Sequence, residues 1–131
     1  MDYLAGFFDG EGSFVLRFIP DKRYKSGFQI RPHINITQKN YDILEKIKQE
    51  LKMGYIYFHK RDKLWYFNVY NLQDISKFIS LIKEKVFVKK DRLVKFEQCI
   101  KMMLNKNHLT PESAEKMKMI WLTPKTEFNA P

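Results

Sequence analysis

The run LAGFFDGEGSF, residues 4–14, decides how the rest of the chain is read. A short helix rich in aromatic and small residues is expected from Asp2 to about Gly10, ending where Gly10 and Gly12 bracket Glu11. A glycine inside a helix costs about 0.5–1 kcal/mol relative to alanine, so local stability does not account for Gly6 and Gly10. Spaced four apart, they lie on one bare stripe, which admits close approach of another backbone. On spacing alone, that backbone belongs either to the same chain or to a second one.

Beyond this run the hydrophobic period switches between 2 and 3.6. In SFVLRFIP, Phe14, Leu16 and Phe18 share one face, and Ser13, Val15, Arg17 and Ile19 share the other. Pro20, Asp21 and the basic stretch KRYKSG, closed by Gly27, predict a polar hairpin loop. FQIRPHINITQ then sets Phe28, Ile30, Ile34 and Ile36 against Gln29, Arg31, His33, Asn35 and Thr37. Pro32 falls on the apolar phase and has no N–H to donate, which predicts an edge position or a bulge.

From Asn40, a residue suited to an N-cap, Ile43, Leu44, Ile47 and Leu51 form a helical stripe with Gly54 just past its end. YIYFH and LWYFNVY, joined by KRDK, predict a second hairpin in which Ile56 and Phe58 oppose Tyr55, Tyr57 and His59. In its second strand Trp65, Phe67 and Val69 oppose Tyr66, Asn68 and Tyr70. Asn71 with Asp74 three residues on resembles a capping box for a helix bearing Ile75, Phe78, Ile79 and Ile82. Another helix is expected from about Asp91 to Leu104, and a last one after Thr110-Pro111-Glu112, stopped by Pro124.

Four antiparallel strands with helices on one side would bury Phe14, Leu16, Ile34, Ile36, Phe58 and Phe67. The other face would display Arg17, Gln29, Arg31, His33, Asn35, Tyr57, His59, Tyr66 and Asn68, side chains able to hydrogen-bond base edges. A strand of about nine residues spans about 30 Å, close to nine base steps of a duplex.

With 131 residues the chain fits one domain over 1–123 followed by a short tail at 124–131. A 44% apolar content supports a core, and 24 basic against 15 acidic residues leave a net charge of +9, favouring a polyanionic partner, nucleic acid ahead of a membrane. Cys99 alone permits no internal disulfide, and there is neither a leader nor a spanning apolar run, so a soluble intracellular protein is expected. The three histidines lack metal-ligand spacing, and neither a glycine-rich phosphate loop nor a zinc pattern nor a nucleophilic triad is present.

LAGFFDGEG at residues 4–12, set in a helix and followed by an alternating strand, resembles the signature of the LAGLIDADG homing endonucleases. The likeness continues through ITQKN at 36–40, the GYI stretch from Gly54 and the region 87–90. It implies the α+β αββαββα homing endonuclease fold, with a four-stranded antiparallel DNA-binding sheet and additional C-terminal helices. A single copy of the motif implies a homodimer acting on a nearly palindromic target. The interface residues so implied are Leu4, Ala5, Gly6, Phe8, Asp9 and Gly10.

The resemblance also implies roles in phosphodiester hydrolysis. Glu11 stands where the family often has aspartate and would bind Mg²⁺ with the Gly10 carbonyl, while Asp9 organises the helix end. Two carboxylates meeting at a twofold axis repel unless cations intervene, and Mg²⁺ there would polarise phosphate and activate water. Gln38 would order active-site water, and Lys89, with Lys90 as the competing register, would face the phosphate. A basic residue sometimes found near the second helix falls on Asp42 here, a departure from the family pattern. DNA contacts would come from the outer face with Ser13, Val15, Ile19 and Lys39 added, and from Arg23 and Tyr24 in the first hairpin loop. The expected activity is a double-strand break in a long duplex; the alternatives are an RNA-splicing maturase binding its intron RNA, or a noncatalytic DNA-binding protein.

Overall fold

The computed structural model describes residues 3–106, 108 and 110–123; the expected stop at Pro124 and the tail at 124–131 lie outside them. Helix α1 (Tyr3–Glu11) runs straight into β1 (Gly12–Pro20), which turns back into β2 (Phe28–Gln38). Then follow α2 (Tyr41–Leu51), the hairpin β3 (Tyr55–His59) and β4 (Leu64–Val69), and the helices α3 (Leu72–Ile82), α4 (Lys90–Leu104) and α5 (Pro111–Leu122). The strands form one antiparallel sheet in the order β1-β2-β4-β3, so the two hairpins join through their second strands.

Local chemistry sets the element ends. The Asn40 side chain accepts from the Asp42 N–H at 2.9 Å, and Asn71 accepts from Gln73 and Asp74 at 2.8 and 3.2 Å, satisfying donors that the first helical turn leaves open. Thr110 accepts from the Ser113 N–H at 3.4 Å, with Pro111 pre-set for the first turn of α5. Helix α2 closes on Lys52 in the left-handed region, φ 56°, so the terminating residue is a lysine and Gly54 lies just before β3 instead. At Gly54 φ is +94° and the Phe67 ring occupies the space a Cβ would take, so only glycine fits.

The helices cover one sheet face. A chain of rings, Phe78–Phe8–Phe14–Phe96–Trp121, with centroids 4.7–5.7 Å apart, ties α3, α1, β1, α4 and α5 into one core. Phe8 sits at its centre with no exposed surface, and truncating a ring so placed costs about 3–5 kcal/mol. Gly12 lies so close to that ring that a Cβ could not be added without displacing it.

Three expectations are refined. Helix α1 extends one residue further than the glycines suggest and takes in Glu11. Pro32 occupies an edge without a bulge: β1 pairs along β2 without interruption, whereas β4 reaches β2 only at residues 34–38, so no neighbour meets Pro32 on that side. Phe58, expected in the core, is 44% exposed. It lies on the outermost strand near the hairpin tip, where Trp65 meets it edge-on at 5.0 Å and the core ends.

Candidate active site and nucleic-acid interface

The C-terminal end of α1 is where the chain concentrates oxygen donors beside a cation. A helix leaves its last carbonyls without intrahelical partners. One of these, on Asp9, accepts the Lys89 ammonium at 2.5 Å, while the neighbouring Gly10 and Glu11 remain exposed. The Asp9 carboxylate faces the other way along the same segment and accepts the N–H groups of Phe87 at 2.7 Å and Lys89 at 3.0 Å. Desolvation opposes its charge, but the backbone donors of Phe87, Lys89 and Val88 and the Lys89 ammonium outweigh that and hold its carboxyl below the ordinary range. Asp9 is therefore a clamp that fixes Lys89 against the helix end, and Lys89 rather than Lys90 lies there; Lys90 opens α4 and is exposed.

Gln38 approaches the same junction from the sheet. Gly12 pairs with Ile36, so the ladder carried two residues further sets Gln38 beside the α1–β1 corner, on the helix side of the sheet. Its side-chain oxygen accepts the Lys39 N–H at 2.9 Å and the Asn40 N–H at 3.4 Å, which fixes the side chain within the turn into α2.

The interface expected on α1 needs correction. Leu4, Ala5 and Phe8 are 1%, 3% and 0% exposed and face the chain's own core, and the Asp9 carboxylate is committed to residues 87 and 89. The outward stripe is Gly6 and Gly10 with Tyr3, and at both glycines a Cβ would meet, beyond its own helix, no atom of the described residues within 4 Å. Packing against the described residues of this chain thus does not account for their smallness. Sequence reasoning missed Phe87 and Val88, which are 86% and 75% exposed and sit where the Asp9 clamp holds them against α1. The signal was an apolar pair within KEKVFVKKDR that fits no helical stripe.

The opposite sheet face is polar, aromatic and basic, as the alternation implies. Ser13 and Arg17 in β1 and Arg31 in β2 are exposed; Val15, Ile19, Gln29, His33 and Asn35 are half-buried on the same face. Rings pave the other half: Tyr57 lies 5.3 Å from Tyr66, His59 stacks on Tyr66 at 5.0 Å, and Tyr70 lies between His33 and Tyr55. Burial first, and then Arg17, pull the His33 pKa below its ordinary value, favouring a neutral ring. Tyr66 donates to Asp62 at 2.5 Å, which organises the tip of the second hairpin. In the first hairpin loop Arg23 is held by Asp21, with contacts of 2.7 and 3.0 Å, so its guanidinium is already engaged; Tyr24 is half-buried there and Lys39 is exposed. That pair draws the Asp21 carboxyl down to about 2.

Asn68 departs most from expectation. It lies on the outer face but is 1% exposed, closed over by Tyr57 and Tyr70, and so cannot itself touch a ligand. Cys99 is buried under α5, and burial raises its thiol to about 11, which makes it an inert core group. His108 is half-buried. No helix is long and apolar enough to cross a membrane among the described residues.

Comparison with known proteins places this geometry. Residues 4–103 match the model of the LAGLIDADG endonuclease family. A 50.9 kDa protein in ND4 intron 1 of Podospora anserina is 29% identical over 114 residues, covering 82% of this chain and 25% of that protein. Among solved structures, the archaeal intron-encoded homing endonuclease I-Vdi141I complexed with DNA superimposes with a TM-score of 0.84 at 25% identity, over 91% of this chain and 77% of that one. I-SmaMI bound to an uncleaved DNA target in the presence of calcium ions gives 0.83 at 29% identity, over 91% of this chain and 42% of that one. The chain spans about a quarter to a third of the length of the curated relatives it matches. With its motif helix, its sheet order and 100 contiguous matched positions (4 to 103) in agreement, the chain belongs to the LAGLIDADG endonuclease family.

Proposed function

We propose that the chain is a site-specific DNA endonuclease that works as a homodimer on a long, nearly palindromic duplex and hydrolyses one phosphodiester in each strand. The observation that carries this reading is the end of α1, where Glu11 and Gly10 lie exposed beside a Lys89 ammonium fixed on the Asp9 carbonyl. The bare Gly6–Gly10 stripe, flanked by the exposed Phe87 and Val88, supports a second copy of the helix packing there. Such packing brings the two Glu11 carboxylates together over the duplex.

The Glu11 carboxylate and the Gly10 carbonyl are hard oxygen donors, of the kind Mg²⁺ takes. Among the described residues no group of three or more His, Cys, Asp or Glu side chains comes together. One chain would therefore supply part of a metal site, its Glu11 and Gly10 holding the ion beside one strand, and phosphate oxygens of that strand would complete the donor set. When bound, Mg²⁺ supplies polarisation of the phosphate and a lowered pKa for its water. Lys89 presents positive charge to the phosphate, and Gln38 orients solvent. The outer face lies in the major groove, with Arg17, Gln29, Arg31 and Asn35 reading base edges. Intron-encoded relatives support an origin within an intron.

Incubation with a library of near-palindromic duplexes, with and without Mg²⁺, tests the reading. Metal-dependent double-strand cuts abolished by Glu11→Gln are expected. Tight intron-RNA binding with no cut in any duplex would overturn it.

A further inference from the structure

Asn68 is the buried polar residue among the described residues, and its three partners all reach toward the DNA-facing surface. Its Oδ1 accepts from Asn35 Nδ2 at 2.7 Å, and its Nδ2 donates to Tyr70 Oη at 2.9 Å and Tyr57 Oη at 3.0 Å. The register explains the meeting: Asn35 lies directly across β2–β4 from Asn68, Tyr57 lies on the diagonal from β3, and Tyr70 follows two residues on. Both hydrogens of the Asn68 amide are thereby used.

This saturation has a directional consequence. A hydroxyl that accepts from Asn68 turns its own hydrogen elsewhere, and at Tyr57 and Tyr70, 41% and 49% exposed, the outer surface is open to it. Asn35, having given one Nδ2 hydrogen inward, shows its carbonyl and its remaining N–H outward. The rings cannot readily swing away: Tyr57 packs against Tyr66 at 5.3 Å, and Tyr70 against His33 at 5.5 Å.

We propose that Asn68 is a positioning residue that sets the hydrogen-bond polarity of Tyr57, Tyr70 and Asn35, and so determines which base edges the centre of the sheet accepts. This rests on the DNA-cleavage reading above. Two outward O–H donors select acceptor edges in the major groove, purine N7, guanine O6 and thymine O4, at the base pairs the tyrosines reach. A leucine of similar volume would fill the same space but leave the three groups without a common orientation.

Selection of cleaved products from a randomised half-site library at pH 8 tests the assignment. Asn68→Asp replaces an amide with a carboxylate that only accepts, so both hydroxyls turn inward and show lone pairs outward. Preference at their base pairs is expected to move toward the donor edges, adenine N6 and cytosine N4, by about tenfold, with other positions unchanged. Asn68→Leu should flatten preference at those pairs alone. Tyr57→Phe and Tyr70→Phe, at exposed rings, should each erase one of the two preferences and keep the test valid if the Asn68 variants fail to fold. Unchanged profiles in the variants that fold, or an even loss at every position, would overturn the assignment. Absence of selective cleavage by the unaltered protein would instead reject the endonuclease reading on which it rests.

Discussion

Gly6→Ala separates the two explanations of the motif stripe, because they give effects of opposite sign. Gly6 lies inside α1 without a positive φ, and a Cβ there meets, beyond its own helix, nothing of the described residues within 4 Å. In the dissociated chain, alanine should therefore stabilise the fold by the ordinary helix difference of about 0.5–1 kcal/mol. With a urea m-value of about 2 kcal/mol/M, the midpoint rises by about 0.4 M. In the proposed homodimer the same methyl would enter a helix–helix contact twice, once from each copy. Overpacking of that kind costs about 1–3 kcal/mol, or about 5- to 150-fold in the dimer Kd. Urea melts below the dissociation concentration, paired with sedimentation across the transition, read the two terms separately. A raised midpoint with an unchanged Kd would refute the placement of this stripe at the dimer contact, and a lowered midpoint would refute the open space described for it.

Phe87→Ser should weaken dimerisation by about tenfold while leaving the unfolding free energy of the dissociated chain within about 0.5 kcal/mol, since the ring is 86% exposed; concentration-dependent sedimentation and urea melts measure the two. Asp9→Asn should lower stability at pH 6 by about 1 kcal/mol, a value reduced for the partial exposure of the carboxylate. Because the folded pKa of Asp9 is depressed, its contribution is fully present above the unfolded value, about 3.9, and disappears as pH falls through the folded value. Melts of both proteins should therefore converge in strong acid, and a gap that persists there would contradict the clamp. Phe8→Ala should cost about 3–5 kcal/mol, seen as a lowered midpoint with unchanged m; a loss under 1 kcal/mol would mean the ring chain is not the centre of the core.

The fold was legible because its signals are local. The stripe Leu44, Ile47 and Leu51, the caps Asn40 and Asn71, and the alternation of residues 28–38 each report on one element without reference to another. The site was legible only in part. Asn68 was placed on the correct face by period two, but its burial needs Tyr57 from the neighbouring strand to close over it together with Tyr70, a relation that no single strand's pattern contains. In a nine-residue helix with apolar groups on several sides, periodicity did not separate Leu4, Ala5 and Phe8 from the outward Gly6 and Gly10. Phe58 shares the phase of buried Phe67 yet lies near the hairpin tip, where the core has ended. Arg23 looked free for a phosphate because its pairing with Asp21 depends on the shape of the loop.

Mixing the unaltered protein with Glu11→Gln, on a supercoiled plasmid bearing the target in Mg²⁺, tests most directly the claim that two copies each contribute one Glu11 to one strand. Linear product is expected from the unaltered protein, nicked circles accumulating most near equal proportions, and neither product from Glu11→Gln alone although it still binds. Linearisation by Glu11→Gln at the unaltered rate, or mixtures that yield linear product with no rise in nicked circles, would contradict the account.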